Sequence, residues 1–151
     1  MPQSLANVLI HLVYSTKNRT PWLKDPELRR ELYAVIGQSL KDVDCHPIQI
    51  GGVEDHVHVL FALSRKYAIM NVVEELKTEG TKWLKKQDSS LGDFHWQSGY
   101  GAFSVSESKR QEVIRYIERQ EEHHLKMSFQ DEFREICRKH GVEIDERYVW
   151  D

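Results

Sequence analysis

A run of thirteen residues, Gly51-Gly52-Val53-Glu54-Asp55-His56-Val57-His58-Val59-Leu60-Phe61-Ala62-Leu63, sets the strongest constraint on how this chain folds. A glycine pair opens it and a run of β-formers follows, the pattern of a turn leading into a strand. Side chains alternate across a strand, so His56 and His58 share one face and Val57, Val59 and Phe61 the other. At a rise of about 3.3 Å per residue the two imidazoles stand roughly 7 Å apart, close enough to converge on one ion. An apolar face for a core and an imidazole pair on the reverse is the division a metal site on a sheet requires. Chance weighs against the pair taken alone: 8 histidines in 151 residues give roughly 0.4 His-x-His pairs without selection. Two half-buried histidines without a ligand role fit the same spacing.

The flanking chain supplies the elements that place this strand. Val8-Leu9-Ile10-His11-Leu12-Val13-Tyr14 is dense in β-formers and too short for a helix, which predicts a buried strand. Asp25-Pro26 reads as an N-cap followed by proline at the first helical position, opening a helix to about residue 42 with Leu28, Leu32, Val35 or Ile36, and Leu40 at helical spacing. Ile48 and Ile50 alternate with Gln49, a second strand that turns at Gly51-Gly52 into the histidine strand as a hairpin. Ile69, Val72 or Val73, Leu76, Gly80, Trp83 and Leu84 recur every three or four residues, a second helix with lysines outward. Tyr100 to Ser106 forms a fourth strand whose Gly101 marks a bulge or a close backbone approach. Ser108 opens a third helix toward Leu125, and Ser128 caps a last one, stopped by Gly141.

The order β-α-β-β-α-β is the split βαβ of ferredoxin-like and RRM-like folds, an α+β class with an antiparallel sheet and helices on one face. The histidine strand is then central. His56 and His58 are expected on the open side, where such sheets commonly meet nucleic acid, and the two later helices are free to pack there. Residues 1–151 read as a single domain.

Composition narrows the classes further. Nothing resembles a signal peptide and no apolar run approaches the roughly 20 residues a membrane span needs, so a cytoplasmic protein with no membrane partner is expected. Cys45 and Cys137 are too few and too far apart for a disulfide framework or a zinc pattern, and both read as reduced and buried. The net charge of −3 argues against a surface coated in base, yet residues 65–86 hold six cations against three glutamates.

Chemistry enters with Tyr116-Ile117-Glu118-Arg119-Gln120, where Tyr116 and Gln120 lie four apart and share a helix face. A phenol, with a pKa of about 10, is a poor nucleophile until a metal or base assists it, but it can form a covalent phosphodiester with a nucleic-acid end. Two imidazoles and a Gln amide oxygen leave coordination positions for water and phosphate, which suits Mg²⁺ or Mn²⁺ better than a closed structural zinc site. An aromatic on an amphipathic helix and a solvated Gln fit the same residues. His123 and His124 read as covering the helix C-terminus rather than as ligands, and His11 as packed.

Together these segments resemble one family. Gly51 to Leu63 with its His-Val-His, Trp96-Gln97-Ser98-Gly99-Tyr100-Gly101-Ala102-Phe103-Ser104-Val105-Ser106, Tyr116 to His124, the ending His140 to Trp150 and the opening Leu12 to Arg19 are similar, in the same order, to the HUH single-tyrosine transposases of small bacterial and archaeal insertion sequences, close to the REP-associated tyrosine transposases. The resemblance implies that His56, His58 and Gln120 hold a divalent ion, Mg²⁺ or Mn²⁺. It implies that Tyr116 cuts single-stranded DNA and retains the 5′ phosphate as a phosphotyrosine, releasing a 3′-OH that later attacks that link. It also implies recognition of hairpin ends, and a homodimer in which Tyr116 can act in trans. Lys17, Arg19, Lys77, Lys82, Lys85 and Lys86 are the expected phosphate contacts. Trp96 is a candidate to stack on a base, with a core role equally open. A non-catalytic hairpin-binding module and a phosphodiesterase that activates water are the rival readings.

Overall fold

The structure, a computed structural model, describes residues 3–151. Four strands, β1 (Leu9–Ser15), β2 (His46–Gly52), β3 (His56–Ala62) and β4 (Gly101–Val105), form one antiparallel sheet in the order β2-β3-β1-β4. Helices α1 (Pro26–Asp42) and α2 (Ile69–Gln87) are the crossovers; α3 (Arg110–Glu118), α4 (Gln120–His123) and α5 (Phe129–Lys139) follow β4. The α+β split βαβ and the central placing of the histidine strand are as the sequence predicts. The hairpin turn is displaced: β2 runs through Gly51 and Gly52, and Val53 to Asp55 make the turn.

Two of the helices, α1 and α5, begin where a side chain satisfies a free N–H group, whereas α3 starts at Arg110 without the side-chain cap expected from Ser108. Asp25 caps α1 by accepting from the Glu27 amide at 3.0 Å, with Pro26 at the first position. Ser128 caps α5 by accepting from the Asp131 amide. Val57, Val59 and Phe61 of β3 and Ile10, Leu12 and Tyr14 of β1 all point to one side, where they meet Leu32, Ile36 and Leu40 of α1 and Val72, Val73, Leu76 and Leu84 of α2. Burying each such side chain fully contributes on the order of 1.5–3 kcal/mol, so this layer fixes the strand register that holds His56 and His58 on the reverse side.

That reverse side is covered, not open. Leu9 and Leu60 pack with Ile117 of α3, and Val13 and Phe103 pack with Phe129, Phe133 and Cys137 of α5. Two glycines let these helices approach: a Cβ on Gly51 would lie 2.8 Å from the Ile117 carbonyl oxygen, and one on Gly101 2.6 Å from the Phe133 ring. The close approach predicted at Gly101 is therefore met by α5. Cys45 and Cys137 are both free and buried. The C-terminal segment docks beside α5, where the Trp150 ring lies 6.0 Å from that of Phe133 and beneath the Arg134 guanidinium, and its carbonyl accepts from Arg19 at 2.9 Å.

The third predicted helix is not continuous. It breaks at Arg119, whose φ and ψ of −99° and 20° are not helical, and resumes for one turn as α4. Arg29 of α1 anchors that turn by donating to Glu121 at 2.9 Å and to the Leu23 carbonyl at 2.7 Å. No helix among the described residues is long and apolar enough to cross a membrane.

Candidate active site

His56 and His58 are fully buried between the sheet and the covering helices. Alternation along β3 puts both rings on the same side, and their centroids are 5.1 Å apart. Each ring is held by its Nδ1 atom. His56 Nδ1 lies 2.7 Å from Asp55 Oδ1, and His58 Nδ1 lies 2.8 Å from His11 Nε2 on the neighbouring strand. His124 is tied in the same way, its Nδ1 lying 2.7 Å from the Met127 carbonyl. With all three Nδ1 atoms engaged, all three Nε2 atoms are directed inward, the arrangement by which outer partners orient imidazole ligands.

They converge on a residue the sequence reading did not single out. Glu132, on the first turns of α5 and buried, places Oε1 at 3.3 Å from His56 Nε2, 3.1 Å from His58 Nε2 and 3.0 Å from His124 Nε2. Its other oxygen, Oε2, accepts hydrogen bonds from the Tyr116 hydroxyl and, at 3.0 Å, from the Gln120 amide. Gln120 in turn directs Oε1 to His56 Nε2 at 3.1 Å. One carboxylate thus joins the imidazoles of β3 to the tyrosine and glutamine that follow β4. A signal for it exists in the sequence: Glu132 lies among Phe129, Phe133, Ile136 and Cys137 on the apolar stripe of α5, where an isolated charge is costly unless partnered.

Protonation follows from this crowding. Burial lowers the His56 pKa, but the hydrogen bonds and charges of Asp55 and Glu132 outweigh it and raise it to about 9. His58 is held below its ordinary value by burial, against the pull of Glu132. Burial, with the charge of His58 adding to it, lowers His11 to about 3, so its Nε2 is free to accept a proton from His58 Nδ1. Burial opposes ionisation of Glu132, yet the surrounding imidazoles win and keep its carboxyl well below the usual carboxylate range. Burial and then the Glu132 charge push the Tyr116 phenol well above 10.

His56, His58, His124 and Glu132 offer one ligand atom each, all within 4.8 Å of one another. Neutral imidazole nitrogen and carboxylate oxygen are the donor types that divalent transition ions take, so the residues fit such an ion. His124, expected to cover the helix C-terminus and not to act as a ligand, bonds the Met127 carbonyl beyond the helix through Nδ1, but its other nitrogen enters the cluster. His11 is packed, and is also the partner of His58.

The cations expected to meet phosphate do not gather here. Lys77 is half-buried and donates to the carbonyls of Gln97 and Gly99, both at 2.8 Å. Arg19 holds the Trp150 carbonyl. Lys82 pairs with Glu79 at 3.6 Å. Lys17, Lys85 and Lys86 are exposed, the last two at the end of α2 on the far layer. Trp96 is in the core, edge-on to Tyr14 and Phe94 at centroid distances of 4.8 Å, which leaves its ring no free face for a base.

The profile of the family described as "Transposase IS200 like" matches residues 4–120, and the chain belongs to that family of DNA-transposing enzymes. No curated protein matches the sequence. Among solved structures, a candidate transposase from Deinococcus radiodurans R1 superposes with a TM-score of 0.62 at 22% identity, covering 80% of this chain and 95% of that one. A REP-associated tyrosine transposase bound to a REP hairpin superposes with a TM-score of 0.60 at 14% identity, covering 82% of this chain and 72% of that one. The fold is shared with both.

Proposed function

We propose that this transposase cuts and rejoins single-stranded DNA through a covalent 5′-phosphotyrosine at Tyr116, beside a divalent ion. The observation that carries the reading is the convergence of Tyr116, Gln120, His56, His58 and His124 on Glu132. His56 and His58 hold the ion with Gln120, as the resemblance implies, and His124 and Glu132 are further ligands within reach. When bound, the ion polarises the scissile phosphate as a Lewis acid. A nitrogen-rich set favours Mn²⁺ over Mg²⁺, which prefers oxygen and water.

The chain's own residues do the rest. Glu132 Oε2 orients the Tyr116 hydroxyl through the hydrogen bond it accepts, and the raised phenol pKa keeps the proton in place before a substrate arrives. On attack the phenol gives up its proton as its oxygen bonds to phosphorus, the bond from phosphorus to the 3′ oxygen breaks, and that oxygen takes up a proton and leaves as the 3′-OH. The energy of the broken ester is kept in the phosphotyrosine, so the 3′-OH of a second strand can reverse the step without ATP. Tyr116 lies 5.7 Å, ring to ring, from His58 of its own chain, which supports action in cis. The hairpin in the REP-associated relative supports a hairpin substrate, and exposed Lys17, Lys85 and Lys86 remain candidates for its stem.

The test is incubation with labelled hairpin DNA carrying a single-stranded flank and Mn²⁺, read on a denaturing gel. A protein-linked band from the wild type and none from Tyr116→Phe is the expected result. Cleavage without a linked band identifies a water-using phosphodiesterase, and binding without cleavage a non-catalytic module; either overturns the proposal.

A further inference from the structure

Two clefts open beside Tyr116, and their charges differ. One, of about 580 Å³, is floored by His11 and Ser104 and walled by Lys109 and Lys139. Both lysines are neutralised, by Glu112 and Glu135 at 3.4 Å each. The other, of about 820 Å³, runs along the break between α3 and α4 and is lined by Arg115, Arg119, His123 and Lys126. Arg115, Arg119 and Lys126 are exposed, and none of the three forms a side-chain ion pair among the described residues. Elsewhere Arg29, Arg30, Lys66, Lys82, Arg110, Arg134, Arg138 and Arg147 are paired. Lys17, Lys24, Lys41, Arg65, Lys85 and Lys86 are exposed and likewise form no side-chain ion pair among the described residues, so it is the grouping beside Tyr116 that sets the cleft apart. An acidic chain that leaves three neighbouring cations unpaired next to its tyrosine has charge there for an external anion.

Arg115 and Arg119 are a helical turn apart, still joined by the Arg119 amide to the Arg115 carbonyl at 3.1 Å, so both project from one flank of α3. Glu112 and Glu122 also border the cleft, the former already occupied by Lys109. His123 stands between the cations and the tyrosine, its ring 5.4 Å from that of Tyr116 and its Nε2 3.4 Å from Glu132 Oε2 without a hydrogen bond. At the outer lip Leu125 is 85% exposed and Met127 is half-buried. Cations along a wall with an apolar lip match a strand that presents phosphates and unpaired bases together.

We infer that this α3–α4 cleft is the path of the single strand adjoining the scissile phosphate, with Arg115, Arg119 and Lys126 on its backbone phosphates. The assignment rests on the transposase reading for what Tyr116 does, but binding alone tests it. Anisotropy of a fluorescein-labelled oligothymidylate, which forms no hairpin, is measured over a salt series for the wild type and for R115A/R119A/K126A. A charge-matched control, K24A/K41A/R65A, removes three exposed cations that also form no side-chain ion pair among the described residues. The cleft variant is expected to bind at least ten-fold more weakly, with the slope of log Kd against log salt reduced by about 2, at roughly 0.7 per phosphate lost. The control is expected to match the wild type, and unchanged melting temperatures show that both variants fold. A cleft variant with wild-type affinity and slope, or a control that loses as much, overturns the inference even if the wild type forms the Tyr116 adduct. Loss of binding confined to the cleft variant, with no adduct from the wild type on hairpin DNA, keeps the cleft and removes the transposase mechanism.

Discussion

The Tyr116 hydroxyl donates a hydrogen bond to Oε2 of Glu132, while Oε1 of the same carboxylate faces the Nε2 atoms of His56, His58 and His124. A buried carboxylate is costly unless partnered, and here its partners are the nucleophile on one side and the imidazoles on the other. Glu132 couples the state of the histidines to the position of the phenol, which makes it the residue to test first.

Replacing Glu132 with Gln keeps its size but removes the anionic oxygen. Mn²⁺ affinity, followed by the electron paramagnetic resonance signal of free Mn²⁺, is expected to fall by at least the 10–100-fold that loss of an outer partner alone brings. Equal affinity in E132Q and wild type would exclude Glu132 as a ligand.

His11 acts through His58. It is neutral, lowered to about 3 by burial and by His58, and its Nε2 is placed to accept from His58 Nδ1 and leave His58 Nε2 free for the ion. His11→Ala should weaken Mn²⁺ binding roughly 10–100-fold with Tyr116 and the ligands intact. Titration calorimetry giving an unchanged Kd would show that His11 only packs.

The contact between β2 and α3 is made at Gly51. An alanine there meets the Ile117 carbonyl oxygen at 2.8 Å and its Cγ2 at 2.9 Å, so α3 must shift. Overpacking of this kind costs about 1–3 kcal/mol. G51A should melt at lower temperature and form less adduct, because Tyr116 and Gln120 move with the helix. A variant as stable and as active as wild type would mean that α3 does not depend on this approach.

Tyr14 is fully buried, its hydroxyl has no hydrogen-bond partner among the described residues, and burial raises its pKa well above the ordinary value. The unfolded phenol ionises near pH ~10. Above that pH the unfolded chain gives up its proton first, so stability falls as pH rises. Burial also pushes Tyr33 up to about 12, adding loss between its ordinary value and about 12. Tyr14→Phe keeps the ring against Trp96 and removes an unsatisfied hydroxyl, whose burial costs about 1–3 kcal/mol. Urea midpoints should be equal or higher in Y14F at neutral pH, and the advantage should widen toward pH ~11; a lower midpoint at neutral pH would reveal a hydrogen bond to that hydroxyl.

Much of the fold was legible because its signals are local. Alternation in His56 to Phe61, Asp25-Pro26 at the start of α1 and the spacing of Leu32, Ile36 and Leu40 each act within a few residues, and together they fix the split βαβ order and the face on which the histidines stand. The same locality predicts Tyr116 and Gln120 on one side of a single helix, but the break at Arg119 puts them on α3 and α4, and it is Glu132 that brings them together. What the sequence could not decide is which side chains from separate elements meet. Glu132 is 74 residues from His58, and only the packing of α5 through Phe129 and Phe133 onto Val13 and Phe103 carries it under the imidazoles. The break at Arg119 turns His124 inward, and Arg29, from the first helix, anchors that turn. Periodicity assigns a residue to a face, but a site is a set of distances between faces, and those are fixed by burial of apolar surface over the whole chain.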